Sequence, residues 1–275
     1  MPRGRKSSEQ KESKPTSKIE KSQKSPQKQK RLNIVIPMAG AGSRFRDAGY
    51  SFPKPLIDVG GKPMIQVVVE NLKPSCLHRF IFICQKEHYD QYSLREILKN
   101  ITDDNYEVVL LNGVTQGAAC TVLTAIDHIL GEDDLLIANS DQLVDINIDE
   151  YIDFSRKSNS RGTIMTFESS HPKWSYARVD DDGDVLEVAE KKVISNNATV
   201  GIYYFSEGNH YIESAKSMIG KDIRVNNEYY VCPVYNEVIL SGGKVKIWHI
   251  TQDKMHGLGT PEDLNLYLRR TEDKQ

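Results

Sequence analysis

Residues 37–57, PMAGAGSRFRDAGYSFPKPLI, follow directly on the apolar run LNIVI at 32–36. The stretch places Gly40, Gly42, Ser43 and Arg44 near its start, and Lys54 between two prolines near its end. Because glycine has no Cβ, backbone N–H groups at such positions can approach phosphate oxygens closely. Arg44 can bind phosphate with its planar fork, and Lys54 can bind it as a point charge. The stretch therefore predicts a phosphate-binding loop at the end of a buried strand.

Spacing excludes the two commonest phosphate loops. A dinucleotide-binding fingerprint needs a third glycine where Phe45 stands after Gly40 and Gly42. A P-loop needs a glycine, four further residues and then Gly-Lys-Ser/Thr, and neither GGKP at 60–63 nor SGGKV at 241–245 satisfies this pattern. What remains is a strand, then A-G-x-G-S-R, a short loop and P-K-P-L.

From Arg31 onward the apolar pattern alternates between strand and helix. In the first half, strands are predicted at 32–37, 79–84, 106–111 and 134–139, and helices at 63–72, 87–100 and 116–130. In the second half, strands are predicted within 162–167, 176–190, 199–205 and 244–250, and helices at 207–219, 228–242 and 260–270. Short apolar strands separated by helices predict an α/β fold, with a Rossmann-like, mixed and mostly parallel sheet covered by helices on both faces.

Three polar loops follow strands of this predicted sheet. They are the glycine-rich loop, NGVTQG at 112–117 and NSDQ at 139–142. Ligands of open α/β sheets bind beyond the carboxyl ends of the strands. We therefore expect the three loops to meet at one edge and to form a site.

Charge separates the N-terminus from the rest of the chain. Residues 1–31 contain 11 Lys and Arg but only 3 acidic residues, whereas the whole chain has a net charge of −2. We expect residues 1–30 to form a disordered basic tail, because they have too little apolar surface to fold. A solubilising role is favoured over a basic arm for nucleic acid, a membrane surface or targeting, since the tail lacks interleaved aromatics and a tight Lys/Arg cluster. Residues 31–275 are predicted to form one domain, with a nucleotide-binding half at about 31–150 and a substrate half at about 151–270.

Cysteine usage and hydropathy bear on the compartment. The four cysteines are widely scattered without a CxxC pair, which predicts reduced thiols and no zinc site. No apolar run is long enough for a membrane span, and the N-terminus lacks the apolar core of a signal peptide. We expect a cytoplasmic protein.

The loop and six further landmarks resemble the sugar-1-phosphate nucleotidyltransferases, the nucleotide-sugar pyrophosphorylase family. The resemblance covers residues 32–270. The landmarks after the loop are TQGAA (115–119), NSDQ (139–142), YARV (176–179), AEK (189–191), NNATVGIYYF (196–205) and GLGTPEDL (257–264). The resemblance implies the fold of nucleotide-diphospho-sugar transferases. It also implies that a sugar-1-phosphate oxygen attacks the α-phosphorus of a nucleoside triphosphate (NTP), with Mg²⁺ as cofactor and pyrophosphate as leaving group.

Residue roles follow by the same resemblance. The nucleotide-binding positions are Ala39, Gly40, Gly42, Ser43, Arg44, Lys54, Gln116 and Gly117. Arg44 would face the departing pyrophosphate and Lys54 the α-phosphate, while Gly117 would leave room for the base or ribose or serve only as a helix cap. The sugar-phosphate positions are Ala177, Glu190, Lys191, Asn196 and Gly201. Arg44, Lys54, Asp141 and Lys191 are the implied catalytic residues, and Asp141 is the implied Mg²⁺ ligand.

Some positions stay open. Asp145 is a weaker candidate for a second metal ligand, and Glu228 is assigned either to the sugar or to a helix start. Many relatives carry D-x-G-T near the C-terminus, with a metal-binding Asp, where this chain has Gly257. Either Asp141, phosphates and water suffice, or Asp253 or His256 substitutes, or activity is impaired. We expect the first, because Mg²⁺ readily keeps several waters.

The substrates are less well encoded than the reaction. UTP with a hexose- or N-acetylhexosamine-1-phosphate is favoured, for nucleotide-sugar and surface-glycan biosynthesis. A cytidylyltransferase acting on another small phosphorylated acceptor is an alternative, as is a catalytically weak nucleotide-binding protein. A glycosyltransferase is disfavoured, because SDQ supplies one Asp where such enzymes have D-x-D. A homo-oligomer is possible, no specific nucleic-acid partner is predicted, and no acyltransferase domain is expected after residue 275.

Overall fold

The computed structural model describes residues 30–272, so the predicted disordered tail lies almost wholly outside the described residues. Within that range the strands are β1 (Leu32–Pro37), β2 (Asp58–Val59), β3 (Lys62–Pro63), β4 (His78–Gln85), β5 (Tyr106–Leu111), β6 (Asp134–Ala138), β7 (Gln142–Val144), β8 (Gly162–Glu168), β9 (Tyr176–Val179), β10 (Val185–Ala189), β11 (Asn197–Phe205), β12 (Val245–Ile250) and β13 (Met255–Gly257). The helices are α1 (Ser43–Asp47), α2 (Met64–Leu72), α3 (Lys86–Gln91), α4 (Leu94–Ile101), α5 (Ala118–Leu123), α6 (Ile126–Ile129), α7 (Ile148–Lys157), α8 (Gly208–Gly220), α9 (Val234–Leu240) and α10 (Pro261–Glu272). Short 3-10 turns lie at Lys54–Leu56 and Gln252–Lys254.

One nine-stranded mixed sheet organises the chain. Its path runs β10-β9-β11-β6-β1-β4-β5, and β8 joins β11 to β12. The pairs β6-β1, β1-β4 and β4-β5 are parallel, whereas β11 pairs antiparallel with β6, β8 and β9. The first half of the chain thus supplies the parallel part, and the second half adds an antiparallel part beside β6. This arrangement confirms the predicted mixed α/β fold.

Both faces of the sheet are buried, as the near-continuous apolar strands predict. Along β1, Ile34 and Ile36 belong to one core cluster and Val35 to the other. The neighbouring β6 alternates in the same way, with Leu136 in the first cluster and Ile137 in the second. Side chains from α2, α4 and α7 cover the first face, and those from α5, α8 and α9 cover the second. Helices therefore shield the strands on both sides.

The predicted helix at 87–100 is wrong as a single element. The structure divides it into α3 and α4, with Ser93 between them at a positive φ of 50°. A left-handed backbone conformation interrupts a right-handed helix, so one continuous helix cannot pass through Ser93.

The predicted helix at 116–130 is likewise two short helices, α5 and α6. Threonine side chains compete with the helical hydrogen bonds at this point. The Thr124 hydroxyl donates to the Thr121 carbonyl at 2.6 Å, and the Thr121 hydroxyl donates to the Gly117 carbonyl at 3.2 Å.

The predicted helix at 228–242 begins six residues late, at Val234. Pro233 stands at its N-cap, and the preceding segment is irregular. The backbone of Tyr229 in that segment is engaged elsewhere, because its N–H donates to Gln116 and its carbonyl accepts from Ala119, both at 2.9 Å. Tertiary pairing has replaced the helical bonds there.

Two observations touch the predictions on compartment. Within residues 30–272, no helix has the length and apolarity needed to cross a membrane. All four cysteines, which lie inside the same range, are free thiols.

A buried ion pair ties the amino end of β6 to α7. Asp134 has a side chain only 2% exposed, and Arg156 Nε donates to its Oδ2 at 2.7 Å. Burial raises the pKa of Asp134, and the hydrogen bond and charge of Arg156 oppose that rise. The guanidinium therefore offsets part of the cost of burying this carboxyl group, at the opposite edge of the sheet from the three polar loops.

We expect Arg156→Ala to lower the free energy of unfolding by about 3 kcal/mol near neutral pH, because it leaves Asp134 buried without its cation. The pKa of Asp134 then rises further above its unfolded value. The folded variant holds a proton that the unfolded chain releases, so its stability falls as pH increases through that pKa. Urea denaturation at about pH 5 and about pH 8 should show the larger loss at the higher pH.

The neighbouring Lys157→Ala is the matched control, since Lys157 forms only an exposed i,i+4 pair with Asp153. Its loss should stay below about 0.5 kcal/mol at either pH. Equal losses in the two variants would contradict the assignment of a buried pair.

Candidate active site

A cavity of about 540 Å³ opens where β1 and β6 end, at the carboxyl edge of the parallel strands. Pro37 at the end of β1 and Asn139 after β6 both line it. Of the residues predicted to form the site, the structure brings six to this cavity: Arg44, Lys54, Asp141, Glu190, Lys191 and Gly201. They come from both halves of the chain, so the expected convergence at one sheet edge is observed.

An ion pair between Lys54 and Asp141 stands in the cavity wall. Lys54 Nζ donates to Asp141 Oδ2, and the two side chains are 23% and 19% exposed. The residues are 87 positions apart in sequence. They meet because β1 and β6 are parallel neighbours, with Val35 opposite Ile137. Each side chain thus neutralises the other.

The glycine-rich loop leads directly into the short helix α1. Gly42 caps this helix at a left-handed φ of 58°, and Arg44 in the first turn lines the cavity. Ala39 is buried, and its carbonyl accepts from Gln85 Nε2 at 2.6 Å. Four predicted loop positions do not belong to the cavity wall formed by residues 30–272: Ala39, Gly40, Gly42 and Ser43. The loop therefore presents Arg44 to the cavity, while contacts from its backbone to a phosphate stay a prediction.

Gly117 has a packing reason to be glycine. Its φ is +125°, and a Cβ there would come within 3.0 Å of the carbonyl carbon of Tyr229. The backbone of Tyr229 runs against residues 116–119 through two hydrogen bonds of 2.9 Å. Neither Gln116 nor Gly117 lines the cavity in the part of the chain that the structure describes, whereas Ala118 does. Gly117 is the N-cap of α5, one of the two readings of this position that the sequence left open.

Lys191 enters the cavity from the other half of the chain. Its backbone has a positive φ of 52°, and its N–H donates to the Trp174 carbonyl at 3.1 Å. Lys191 Nζ donates to the Tyr230 hydroxyl at 2.5 Å and lies 4.6 Å from the centre of the Tyr230 ring. A left-handed backbone at a non-glycine residue is a strain that clusters at functional sites. Tyr230 thus orients the ammonium of Lys191.

Glu190 is partly buried beside Lys191. The hydroxyl of Ser175 donates to Glu190 Oε2. Burial raises the pKa of Glu190, and the nearby charge of Glu228 adds to the rise. The hydrogen bond from Ser175 and the charge of Lys191 oppose it. The result is a carboxyl group that titrates at a higher pH than an exposed glutamate.

Two predicted sugar-phosphate positions lie away from the cavity wall as residues 30–272 define it. Ala177 is fully buried in the core cluster under α5, α8 and α9, and its carbonyl accepts from Ser195 Oγ at 2.7 Å. Asn196 directly precedes β11, and its carbonyl accepts from the Ser169 N–H at 3.1 Å. The side chain of Ala177 therefore packs in the core and does not face a ligand in the cavity.

The surroundings of Asp141 fit a cation held through one carboxylate. An ammonium group, that of Lys54, already contacts Oδ2. A Cβ at residue 259 would lie 2.8 Å from the same oxygen, so glycine at this position leaves the carboxylate accessible. No group of three or more His, Cys, Asp or Glu within 30–272 is arranged to hold a metal ion. Mg²⁺ suits such a site, because it is commonly bound by one or two carboxylates, with waters and substrate phosphates as further ligands.

Asp253 and His256 do not replace the carboxylate that Gly257 lacks. Neither lines the cavity of Asp141. Both line a separate cavity of about 960 Å³, which adjoins the first and shares Lys173, Trp174, Gly257 and Asp263 with it. His256 Nε2 is 2.9 Å from Asp145 Oδ2, so the pair is internally satisfied. Asp145 also does not line the first cavity, which removes it as a second ligand there.

Several cavity residues were missed by sequence reasoning. They lie in loops and on β7, β11 and α10, and they are Asn139, Gln142, Lys173, Trp174, Ser175, Thr199, Tyr203, Tyr230, Cys232 and Asp263. Among them, Asp263 lies close to Gly257. Its Oδ2 is 3.7 Å from the position that a Cβ would take at Gly257. With Arg44, Lys54 and Lys191, the cavity presents cations from both halves of the chain and is suited to a polyanionic ligand.

Comparisons with known proteins agree with this geometry. A family model described as nucleotidyl transferase matches residues 34–229. The chain is similar to the bifunctional protein GlmU of Methanocaldococcus jannaschii, with 25% identity over 64% of this chain and 40% of that protein. It is similar to a UTP–glucose-1-phosphate uridylyltransferase, AglF, of Haloferax volcanii, with 23% identity over 84% of this chain and 93% of that protein. A solved nucleoside-diphosphate-sugar pyrophosphorylase from Vibrio cholerae aligns with a TM-score of 0.72 and 25% identity, covering 86% of this chain and 99% of that one.

The curated relatives differ in length from this chain. The chain spans less than half the length of several of them, 40% to 49% of three.

Glu190→Gln should change the pH dependence of stability. Because the pKa of Glu190 is raised in the folded protein, the folded state binds a proton more tightly than the unfolded chain. The free energy of unfolding of the wild type therefore falls as pH rises from about 4.3 through the raised pKa. The variant lacks this decline, so its stability relative to wild type should increase over that interval.

Denaturation at several pH values measures the effect. Glu187→Gln, at an exposed position of β10, is the control for a simple change in net charge. The same pH profile in both variants would contradict the burial of Glu190 as the cause.

Proposed function

Because the chain belongs to the nucleotidyl transferase family, we propose that it transfers a nucleotidyl group from an NTP to a sugar-1-phosphate and releases pyrophosphate. The observation that carries this proposal is one cavity lined by Arg44 and Lys54 from the first half and by Lys191 from the second. Two polyanions must approach each other in this reaction, so cations on both sides are the primary requirement. The proposed biological role is nucleotide-sugar and glycan biosynthesis.

The proposed chemistry is a single in-line displacement. An oxygen of the acceptor phosphate attacks the α-phosphorus, one new P–O bond forms, and the bond from the α-phosphorus to the bridging oxygen breaks. The bonding electrons leave with pyrophosphate. Lys54 stabilises charge at the α-phosphate, Arg44 stabilises charge on the leaving pyrophosphate, and Lys191 positions the acceptor phosphate.

Asp141 is proposed to hold Mg²⁺. When bound, this ion supplies neutralisation of phosphate charge and orients the oxygens for displacement. The ammonium of Lys54 competes with the ion for Asp141 Oδ2. Lys54 is therefore proposed to turn from Asp141 to phosphate when substrate enters, which lets both side chains act.

We propose UTP and a hexose- or N-acetylhexosamine-1-phosphate as substrates. The similarity to AglF, named as a UTP–glucose-1-phosphate uridylyltransferase, supports this choice, and most of both chains is covered. Residues of about 31–150 are proposed to bind the nucleotide, and those of about 151–270 the sugar phosphate. CTP with another phosphorylated acceptor is a distinct outcome of the test below.

Pyrophosphate release measured with each of four NTPs, Mg²⁺ and a panel of sugar-1-phosphates tests the reaction. We expect turnover with UTP and a hexose- or N-acetylhexosamine-1-phosphate, and none when the acceptor is left out. Turnover with CTP alone would correct the nucleotide. Nucleotide binding without turnover for any pair would overturn the enzymatic proposal and identify a binding protein.

Asp141→Asn should lower Mg²⁺-dependent turnover by about 100-fold or more, because it removes the carboxylate charge that would hold the ion. The variant also frees Lys54 from its ion pair, so NTP binding measured without metal should be retained or strengthened. Asp145→Asn, at a carboxylate outside the cavity, is the control and should leave turnover within about twofold of wild type. Near wild-type turnover in Asp141→Asn would refute the metal assignment.

A further inference from the structure

Two neutral amides lie beside Asp141 in the cavity wall, and the proposed reaction leaves them without a role. Asn139 directly follows β6, and Gln142 begins β7. Asn139 Nδ2 donates to Gln142 Oε1 at 3.2 Å. Gln142 is buried, with 9% of its surface exposed, and both side chains line the cavity. We call these two side chains the amide pair.

The amide pair keeps unused hydrogen-bonding capacity. Each amide has a carbonyl acceptor and an NH₂ donor group. Beyond the bond that joins them, Asn139 Oδ1 and Gln142 Nε2 have no hydrogen-bond partner within residues 30–272. Neither atom is among the side-chain atoms of that range that are fully buried and lack a hydrogen-bond partner. If both side-chain amides are rotated by 180°, their oxygen and nitrogen atoms exchange places. One carbonyl and one NH₂ group are then again without a partner.

The backbone of β11 is shaped to hold the amide pair. Gly201 has a φ of +94°, and its carbonyl accepts from the Asn139 N–H at 3.0 Å. A Cβ at residue 201 would lie 3.0 Å from Asn139 Cγ and would overlap the Gln142 carbonyl oxygen. Glycine at this position therefore lets both amides lie across the strand. The amide pair is built into the fold and is not a chance surface arrangement.

The neighbouring wall carries uncharged polar side chains, with the Glu190 carboxyl group near two of them. The Thr199 and Tyr203 hydroxyls are 3.0 Å apart, and Cys232 lines the same cavity. Burial raises the pKa of the Cys232 thiol well above its usual value, and the nearby charge of Glu190 adds to the rise, so the thiol is neutral. A carboxylate placed here would lose water and would face the carboxyl groups of Asp141 and Glu190.

We propose that the amide pair determines acceptor specificity by binding an uncharged group that both donates and accepts hydrogen bonds, a hydroxyl or a carboxamide of the phosphorylated acceptor. The inference rests on the proposed function and names the substrate feature read at that site. A carboxylate would leave the free amide carbonyl without a donor, and an ammonium would leave the free NH₂ without an acceptor. A hydroxyl or a carboxamide satisfies both amide groups, so it is favoured over a group that only donates or only accepts.

Gln142→Met tests the proposal, because methionine has a similar length but offers no amide. With a sugar-1-phosphate accepted by the wild type, kcat/KM should fall about 10-fold to 100-fold. The wild type should show a loss of that size with one monodeoxy analogue of the same acceptor. In Gln142→Met, the same analogue should lower kcat/KM little further, because the protein change and the substrate change remove the same hydrogen bond.

Gln252→Met is the matched control, since it makes the same chemical change in the separate cavity. It should leave kcat/KM unchanged for every acceptor. The dissociation constant of the NTP, measured without acceptor, should also be unchanged in Gln142→Met. An equal weakening of NTP binding would overturn the proposal and place the amide pair at the nucleotide. Unchanged acceptor kcat/KM in Gln142→Met would overturn it as well.

Failure of the proposed function is distinguishable from failure of this inference. If the wild type releases no pyrophosphate with any substrate pair, the proposed function fails. Calorimetric titration of the same sugar phosphates and their deoxy analogues into wild type and Gln142→Met then decides the inference. Weaker binding of a sugar phosphate to Gln142→Met than to the wild type, with no further loss of affinity for one deoxy analogue, supports the proposed role of the amide pair. Identical binding, or no binding to either protein, overturns it.

Discussion

The contact between Lys54 and Asp141 is the interaction around which the candidate site is organised. Neither charge is fully exposed, and each is the nearest compensation for the other. The contact exists only because β1 and β6 are parallel neighbours, so that the loops after the two strands end side by side. A cation and an anion held in this way are ready to exchange partners when a second anion enters the cavity. The proposed chemistry depends on that exchange.

The antiparallel half of the sheet completes the site from the other side. Because β11 pairs directly with β6, residues of the second half lie next to Asp141. Gly201 on β11 allows the side chains of Asn139 and Gln142 to cross the strand. Beyond them, Glu190 and Lys191 follow β10, and Lys191 is held by Tyr230. The cavity is thus a junction between two kinds of sheet, with Arg44 and Lys54 on one side and Glu190 and Lys191 on the other.

The sequence predicted the features that depend on local pattern. The apolar run before the glycine-rich loop is β1, the order of strands and helices in the first half is correct, and Arg44, Lys54 and Asp141 line one cavity. These predictions are correct because buried parallel strands have a distinctive composition and because the loops after such strands meet at one edge of the sheet.

Features set by tertiary contacts were not predictable in this way. The segment before α9 is irregular because the backbone of Tyr229 pairs with residues 116–119, and no local pattern announces such pairing. The same close approach accounts for Gly117, which the resemblance assigned to the nucleotide. Asn139 and Gln142 stand in NSDQ, a motif noticed only for its aspartate. Their pairing across Gly201 depends on a register between strands that are about 60 residues apart.

A crystal structure of the chain with Mg²⁺ and a non-hydrolysable UTP analogue tests the central claim most directly. The account predicts the triphosphate in the cavity at the ends of β1 and β6, within hydrogen-bonding distance of Arg44 and Lys54, with Lys54 turned away from Asp141. A triphosphate bound in the separate cavity lined by His171 and Arg270, or an unbroken contact between Lys54 and Asp141 beside bound nucleotide, would contradict it.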